Sequence, residues 1–238
     1  MIKLGVNLDH VATIRQQRYT PYPDMLTAIK ISESSGADSI TMHLREDRRH
    51  IQFEDIKIAK KNINTKLNLE MAATDEMCEI ANQVQPDFIC IVPEKRQELT
   101  TEGGLNVSRN FDKLKTSISN LKKSKAKISL FIEPDIETID LAKELGVSAV
   151  ELHTGSYAEA SGDKKNHFLN EITSAADYAK EISLVVNAGH GLDYTNVQEI
   201  ARIGSLNELN IGHSIIAESI FLGLSEAIKK MKNLIENA

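Results

Sequence analysis

Short β-rich apolar runs recur along the chain, each closed by polar or turn residues and followed by a longer stretch whose apolar residues fall at helical spacing. The short runs predict strands at residues 3–8, 39–43, 66–70, 87–92, 127–132, 148–153, 182–187 and 208–211. Helices are predicted at 23–35, 53–62, 75–84, 107–123, 136–145, 165–180, 196–203 and 215–235. Strand and helix alternate throughout. Parallel neighbours require crossover connections, so this order predicts a parallel sheet, and eight units predict its closure into a (β/α)8 barrel. No linker or low-complexity tract interrupts the series, so one domain is expected over residues 1–238, close to the roughly 250 residues typical of such a barrel.

An open, doubly wound sheet is the competing architecture. Its dinucleotide fingerprint belongs in the first βα unit, but that unit reads Gly5-Val-Asn-Leu-Asp-His10 and lacks the three glycines. Gly189-His-Gly191 alone is weak evidence for such a loop. A faint internal echo links residues 36–43 with 146–153: each has a glycine able to end a helix, a strand and a terminal histidine.

In a barrel, chemistry gathers where strands run out at their C-terminal ends. Six of the seven histidines (10, 43, 50, 153, 190 and 213) fall there, and only His167 lies in a predicted helix. Residues two apart share a strand face, which pairs Asn7 with Asp9, His43 with Arg45, Asn68 with Glu70, and Glu151 with His153. Burying four such pairs is costly unless they face a polar cavity or each other. Phosphate is expected after strands 7 and 8, where Asn187-Ala-Gly-His-Gly191 and Gly212-His-Ser214 offer backbone N–H groups and Ser214 can cap a helix or donate to an anion. A second basic cluster, residues 43–50, follows strand 2, and Arg18 lies in the long loop expected after strand 1. Two anion sites suit two phosphorylated substrates.

Composition narrows the function classes. A hydrophobic fraction of 41% with 26% charged residues is ordinary for a globular protein, and no apolar run approaches the roughly 18 residues of a membrane helix. The N-terminus shows no signal-peptide pattern, which predicts a cytoplasmic protein. A net charge of −6 speaks against a nucleic-acid partner. Cys78 and Cys90 sit among apolar neighbours and are read as reduced core residues. Lys95 is the one candidate for a Schiff base, but Glu94 and Arg96 flank it, which favours a surface or subunit ion pair. Asp9-His10 would point to opposite faces of a continued strand, so no catalytic metal is expected. Acid–base chemistry by His and Glu remains.

The segments G-V-N-L-D-H-V-A-T-I-R (5–15), H-L-R-E-D-R-R-H-I (43–51), N-L-E-M-A (68–72), V-P-E-K-R-Q-E (92–98), T-T-E-G-G-L (100–105), E-L-H-T-G (151–155), V-N-A-G-H-G-L (186–192) and E-L-N-I-G-H-S-I-I (208–216) resemble the signature segments of the pyridoxine 5′-phosphate synthase family. The resemblance runs from residue 5 to about 235. It implies a (β/α)8 barrel with extra helices that condenses 3-amino-2-oxopropyl phosphate with 1-deoxy-D-xylulose 5-phosphate, without a cofactor, as a homo-oligomer, typically an octamer. By the same resemblance His43 and Glu70 accept protons, His190 donates one, and Glu151 stabilises imine-like intermediates. Asn7, Arg18, Gly191, Gly212 and His213 are expected to hold the amino-ketone phosphate, and Asp9, His10, Arg45, His50 and Thr100 the deoxyxylulose phosphate. Residues 93–105, with Gly103-Gly104 as hinge, are expected to close over the site, and Arg18, in a Tyr/Pro-rich loop, to act in its own site or a neighbouring one.

Overall fold

The computed structural model describes residues 1–94 and 103–238, with only the backbone described for Lys122. Its strands are β1 (Lys3–Asn7), β2 (Ser39–His43), β3 (Lys66–Met71), β4 (Phe88–Ile91), β5 (Lys127–Ile132), β6 (Ala149–His153), β7 (Val185–Gly189) and β8 (Glu208–Ile211). They pair in sequence order, all parallel, and β8 closes on β1. The helices are α1 (Asp9–Gln16), α2 (Met25–Ser34), α3 (Phe53–Asn62), α4 (Asp75–Val84), α5 (Phe111–Asn120), α6 (Ile136–Glu144), α7 (Gly155–Glu159), α8 (Asp163–Glu181), α9 (Val197–Ala201), α10 (His213–Leu222) and α11 (Leu224–Glu236). No helix among the described residues is long and apolar enough to cross a membrane.

Alternation along the strands separates two chemistries. Leu4, Val6, Ile40, Met42, Leu67, Ile89, Leu130, Val150 and Leu209 are buried in the main apolar cluster. Their strand neighbours Ser39, Thr41, Asn68, Cys90, Glu151, Glu208 and Asn210 are also buried, and hydrogen bonds join them across the barrel. Ser39 Oγ donates to Glu208 at 2.9 Å, Thr41 Oγ1 to Asn210 at 2.9 Å, and Asn210 Nδ2 to Glu151 at 2.6 Å. The first two contacts pass over β1 and the third over β7. They are allowed because Gly5 and Gly189 stand in between: a Cβ at Gly5 would come within 2.1 Å of Asn210 Oδ1, and one at Gly189 within 2.7 Å of Glu151 Oε1. A barrel interior is usually filled with branched aliphatic side chains. Here small and polar residues form a hydrogen-bonded floor beneath the mouth.

Several boundaries depart from the sequence reading. Residues 9–16, expected as loop, form α1, which is fastened to α3 by a two-pronged Arg15–Asp55 pair at 2.7 Å. The run 182–187 reads as strand, but α8 continues to Glu181 and Ser183 takes φ +64°, so pairing begins only at Val185. The single helix expected at 215–235 is two, separated by Gly223 at φ +80°. The glycines of the internal echo, Gly36 and Gly146, both have positive φ just past a helix end, as a helix-terminating glycine should.

Candidate active site

The strands all deliver their C-terminal ends to one rim, and a cavity of about 880 Å3 opens there. His43 from β2, Glu70 from β3, Glu151 from β6 and His190 from just after β7 line it together. Asn7, Asp9, His10, Arg45, Gly191, Gly212 and His213 share its walls. Two of the expected binding residues that the structure describes do not. His50 is buried behind His43, with ring centroids 6.1 Å apart, and its Nδ1 accepts the Ile51 N–H at 2.8 Å. Arg18 is exposed past the end of α1 and does not reach the cavity of its own chain. Thr100 lies outside the described residues, as do Lys95 and most of the expected closing loop.

Three carboxyl groups crowd one side of the cavity. Asp9 opens α1 instead of continuing β1, but a tight turn still joins it to Asn7, whose Oδ1 accepts the Asp9 N–H at 2.9 Å. The Asn7 amide donates to Asp9 at 3.0 Å and to Glu70 at 3.4 Å, and Asp9 Oδ1 accepts the His43 N–H at 2.8 Å. Burial drives the Asp9 pKa up to about 6, opposed by the nearby His43 and by its hydrogen bonds. Burial, then the charges of Glu151 and Asp9, push Glu70 well above the ordinary carboxylate range. Burial also raises Glu151, to about 7, although the hydrogen bond from Asn210 works against it. These groups cannot all ionise cheaply, so near neutral pH the cluster holds protons that it can exchange. Asp9, His43 and Glu70 each bring a potential metal-donor atom within 4.8 Å of the others. Both Asp9 oxygens and Glu70 Oε2 are already accepting the hydrogen bonds just described.

Histidines occupy the remaining walls. His190 has φ +81°, an unusual value for a side chain of its size, which Thr154 helps to hold by donating to the His190 carbonyl at 2.6 Å. Its ring lies 5.0 Å from that of His153 and 6.3 Å from Phe131, and desolvation, then His153, lower its pKa. His10 and His213 meet edge to face at 5.1 Å, and burial, then His213, lower the pKa of His10.

An anion cradle stands beside them. Gly212 caps α10, whose first backbone bond runs from Ile216 N–H to Gly212 O, so the N–H groups of residues 213–215 precede the helical ladder, the donors by which a helix N-terminus can hold an anion. Gly191, at φ +77°, borders the same space. Ser214 does not cap the helix as expected: its hydroxyl donates to Leu192 O at 2.8 Å. The basic run after β2 is largely neutralised, since Asp47 within it accepts from both Arg45 and Arg49, and Arg48 pairs with Glu76 of α4. Arg45 is the arginine of this run that lines the cavity.

Residues 4–237 match the family model described as "Pyridoxal phosphate biosynthesis protein PdxJ". The chain belongs to the PdxJ family. It is 52% identical over 235 residues to the pyridoxine 5′-phosphate synthase of Prochlorococcus marinus (strain AS9601), covering 99% of both chains. It is 49% identical over 236 residues to that of Legionella pneumophila (strain Corby), covering 99% of this chain and 95% of the other. Among solved structures it resembles KGPDC from Streptococcus mutans, with TM-score 0.66, 13% identity and coverage of 100% and 98%. It also resembles phosphoribosyl anthranilate isomerase from Thermus thermophilus, with TM-score 0.63, 10% identity and coverage of 99% of each. Those two likenesses concern the fold alone.

This PdxJ chain also carries polar residues that sequence reasoning did not single out. Asn210 sits two residues before Gly212 on β8, and strand alternation would have placed it inside the barrel. Glu133, just past β5, pairs with His153 Nδ1 at 3.2 Å and accepts the Gly104 N–H at 2.5 Å. Glu94 turns inward, its side chain 3% exposed, against His43, while the ion pair expected of Lys95 falls outside the described residues. Neither loop glutamate follows a strand or helix period, so no pattern pointed to them.

Proposed function

We propose that the chain condenses 3-amino-2-oxopropyl phosphate with 1-deoxy-D-xylulose 5-phosphate to give pyridoxine 5′-phosphate, inorganic phosphate and water, using its own side chains as acids and bases and no cofactor or metal. The observation that carries this reading is the convergence of His43, Glu70, Glu151 and His190 on one cavity beside an anion cradle. The family gives it direction, since PdxJ relatives are named for that product.

Carbonyl addition, dehydration, phosphate elimination and ring closure each move protons, and each needs a group of suitable affinity at hand. Glu70, once ionised, is a stronger base than an exposed glutamate because burial and like charge raise its proton affinity. It and His43 serve as proton acceptors, and His190 serves as donor to leaving oxygens. Glu151 is buried in the cavity wall, where its carboxylate balances positive charge on an imine-like intermediate. Asn7, Gly191, Gly212 and His213 hold one phosphorylated substrate, and Asp9, His10 and Arg45 the other. His50 supports the second set from behind His43, and Arg18 and Thr100 remain assigned from the resemblance; because Arg18 does not line the cavity of its own chain, we place it in the site of a neighbouring copy. Self-association, as the octamer of the resemblance, belongs to the same proposal, as does a cytoplasmic setting, where phosphorylated metabolites are met.

Substitution distinguishes this enzyme from a phosphometabolite-binding barrel. Glu70→Gln is expected to lower turnover by about 10²-fold or more, while calorimetric affinity for 1-deoxy-D-xylulose 5-phosphate changes by less than about tenfold. Unchanged turnover in that variant would contradict the assignment.

A further inference from the structure

His43 Nε2 lies 2.9 Å from Glu94 Oε1, and Glu94 Oε2 accepts the backbone N–H of Glu46 at 2.9 Å. The carboxylate is therefore held at both ends, by the loop that follows β2 and by the imidazole that ends it. Burial would raise the Glu94 pKa, but the hydrogen bonds from His43 and Glu46 N–H, the charge that His43 carries when protonated and the charge of Arg45 together hold the group below the ordinary range. An ionised carboxylate only accepts hydrogen bonds. The shared proton must then sit on Nε2, and a neutral His43 keeps its lone pair on Nδ1.

We propose that Glu94 is a positioning residue that fixes the tautomer of His43, so that Nδ1 is the nitrogen presented to substrate protons. This rests on the role given to His43 above and adds to it a residue, a nitrogen and a reason. Around the same imidazole stand Asp9, which binds the His43 N–H, Glu70 and Arg45 on the cavity wall, and the ring of His50 behind. Among the described residues the Glu94 contact is the one that selects between the ring nitrogens, because it engages Nε2 directly.

The Glu46 N–H makes the idea testable through one substitution. In Glu94→Gln this N–H still demands an oxygen, so the amide carbonyl takes the Oε2 position and the NH2 group falls opposite His43 Nε2. An NH2 group donates, so it needs a lone pair on Nε2 and drives the proton to Nδ1. Glutamine therefore selects the wrong tautomer, whereas Glu94→Asp keeps an acceptor.

Neutron diffraction from crystals exchanged into D2O at pH 9, where an ordinary imidazole is neutral, reads the tautomer without substrate. The expected result is deuterium on Nε2 of His43 in the wild type and Glu94→Asp, and on Nδ1 in Glu94→Gln. Steady-state assays should then show kcat of Glu94→Gln lower by about 10²- to 10⁴-fold with KM within about threefold, and Glu94→Asp recovering most of the loss. A wild-type ring without deuterium on Nε2, or a Glu94→Gln ring that keeps it there, overturns the proposal. So does a Glu94→Gln variant with wild-type kcat. A wild type that shows the expected tautomer but makes no pyridoxine 5′-phosphate counts against the reaction assigned above and not against the contact.

Discussion

At the level of single residues, the cavity wall exchanges stability for proton affinity. Glu151 has a folded pKa of about 7 against an ordinary value of 4.5, chiefly because it is buried. Between those values the native state binds more protons than the unfolded chain, so this group's contribution to stability falls as pH rises from about 4.5 to about 7. Glu151→Gln removes the penalty and leaves an oxygen to accept the Asn210 amide. The variant is expected to exceed the wild type in unfolding free energy at pH 8 by on the order of 2 kcal/mol, and to match it near pH 4, in urea titrations. It should also be nearly inactive. Equal stability at pH 8 would mean that the carboxylate is not strained by burial. His43, Glu70 and Glu151 were legible in the sequence because they lie in the C-terminal parts of strands, where alternation fixes which way a side chain faces, and His190 because it stands in the glycine-bearing turn just after β7. Glu94 and Glu133 were not, because they leave their strands on loop backbone whose direction no periodicity records.

Among the elements, β1 and β7 act as spacers. Gly5 and Gly189 remove side chains that would otherwise separate β8 from β2 and from β6, and the polar floor forms through the gaps. Gly189→Ala is expected to displace Glu151 or Asn210, costing about 1–3 kcal/mol in denaturant unfolding and lowering kcat. A silent substitution would show that the barrel floor is loosely packed. At the rim, a Cβ on Gly212 would lie 2.9–3.1 Å from atoms of Asn7, so Gly212→Ala should push α10 and Asn7 apart. We expect a raised KM for the substrate held there with a smaller change in kcat, measured by varying each substrate in turn; no KM change would place the anion elsewhere. The eight strands were readable from their apolar runs, but their limits were less so. Ile182-Ser-Leu reads as strand until Ser183 adopts a left-handed turn, and residues 9–16 read as loop because their polar residues were assigned to a strand terminus.

Across the whole molecule, the parallel barrel brings segments from residue 7 to residue 213 to a common mouth while a helical layer covers its aliphatic outer face. One surface is poorly covered: Ile220 and Phe221 at the end of α10 are 70% and 85% exposed. Exposed apolar side chains in neighbouring positions suit contact with another copy. Phe221→Asp should shift sedimentation velocity toward smaller species, and an unchanged distribution would place the contact on another face. The central claim concerns the reaction itself. Purified protein should be mixed with 3-amino-2-oxopropyl phosphate and 1-deoxy-D-xylulose 5-phosphate, and both pyridoxine 5′-phosphate and released phosphate followed. We predict one phosphate per product molecule, and neither species when either substrate is omitted; phosphate release from a single substrate, or no product from the pair, would contradict the account.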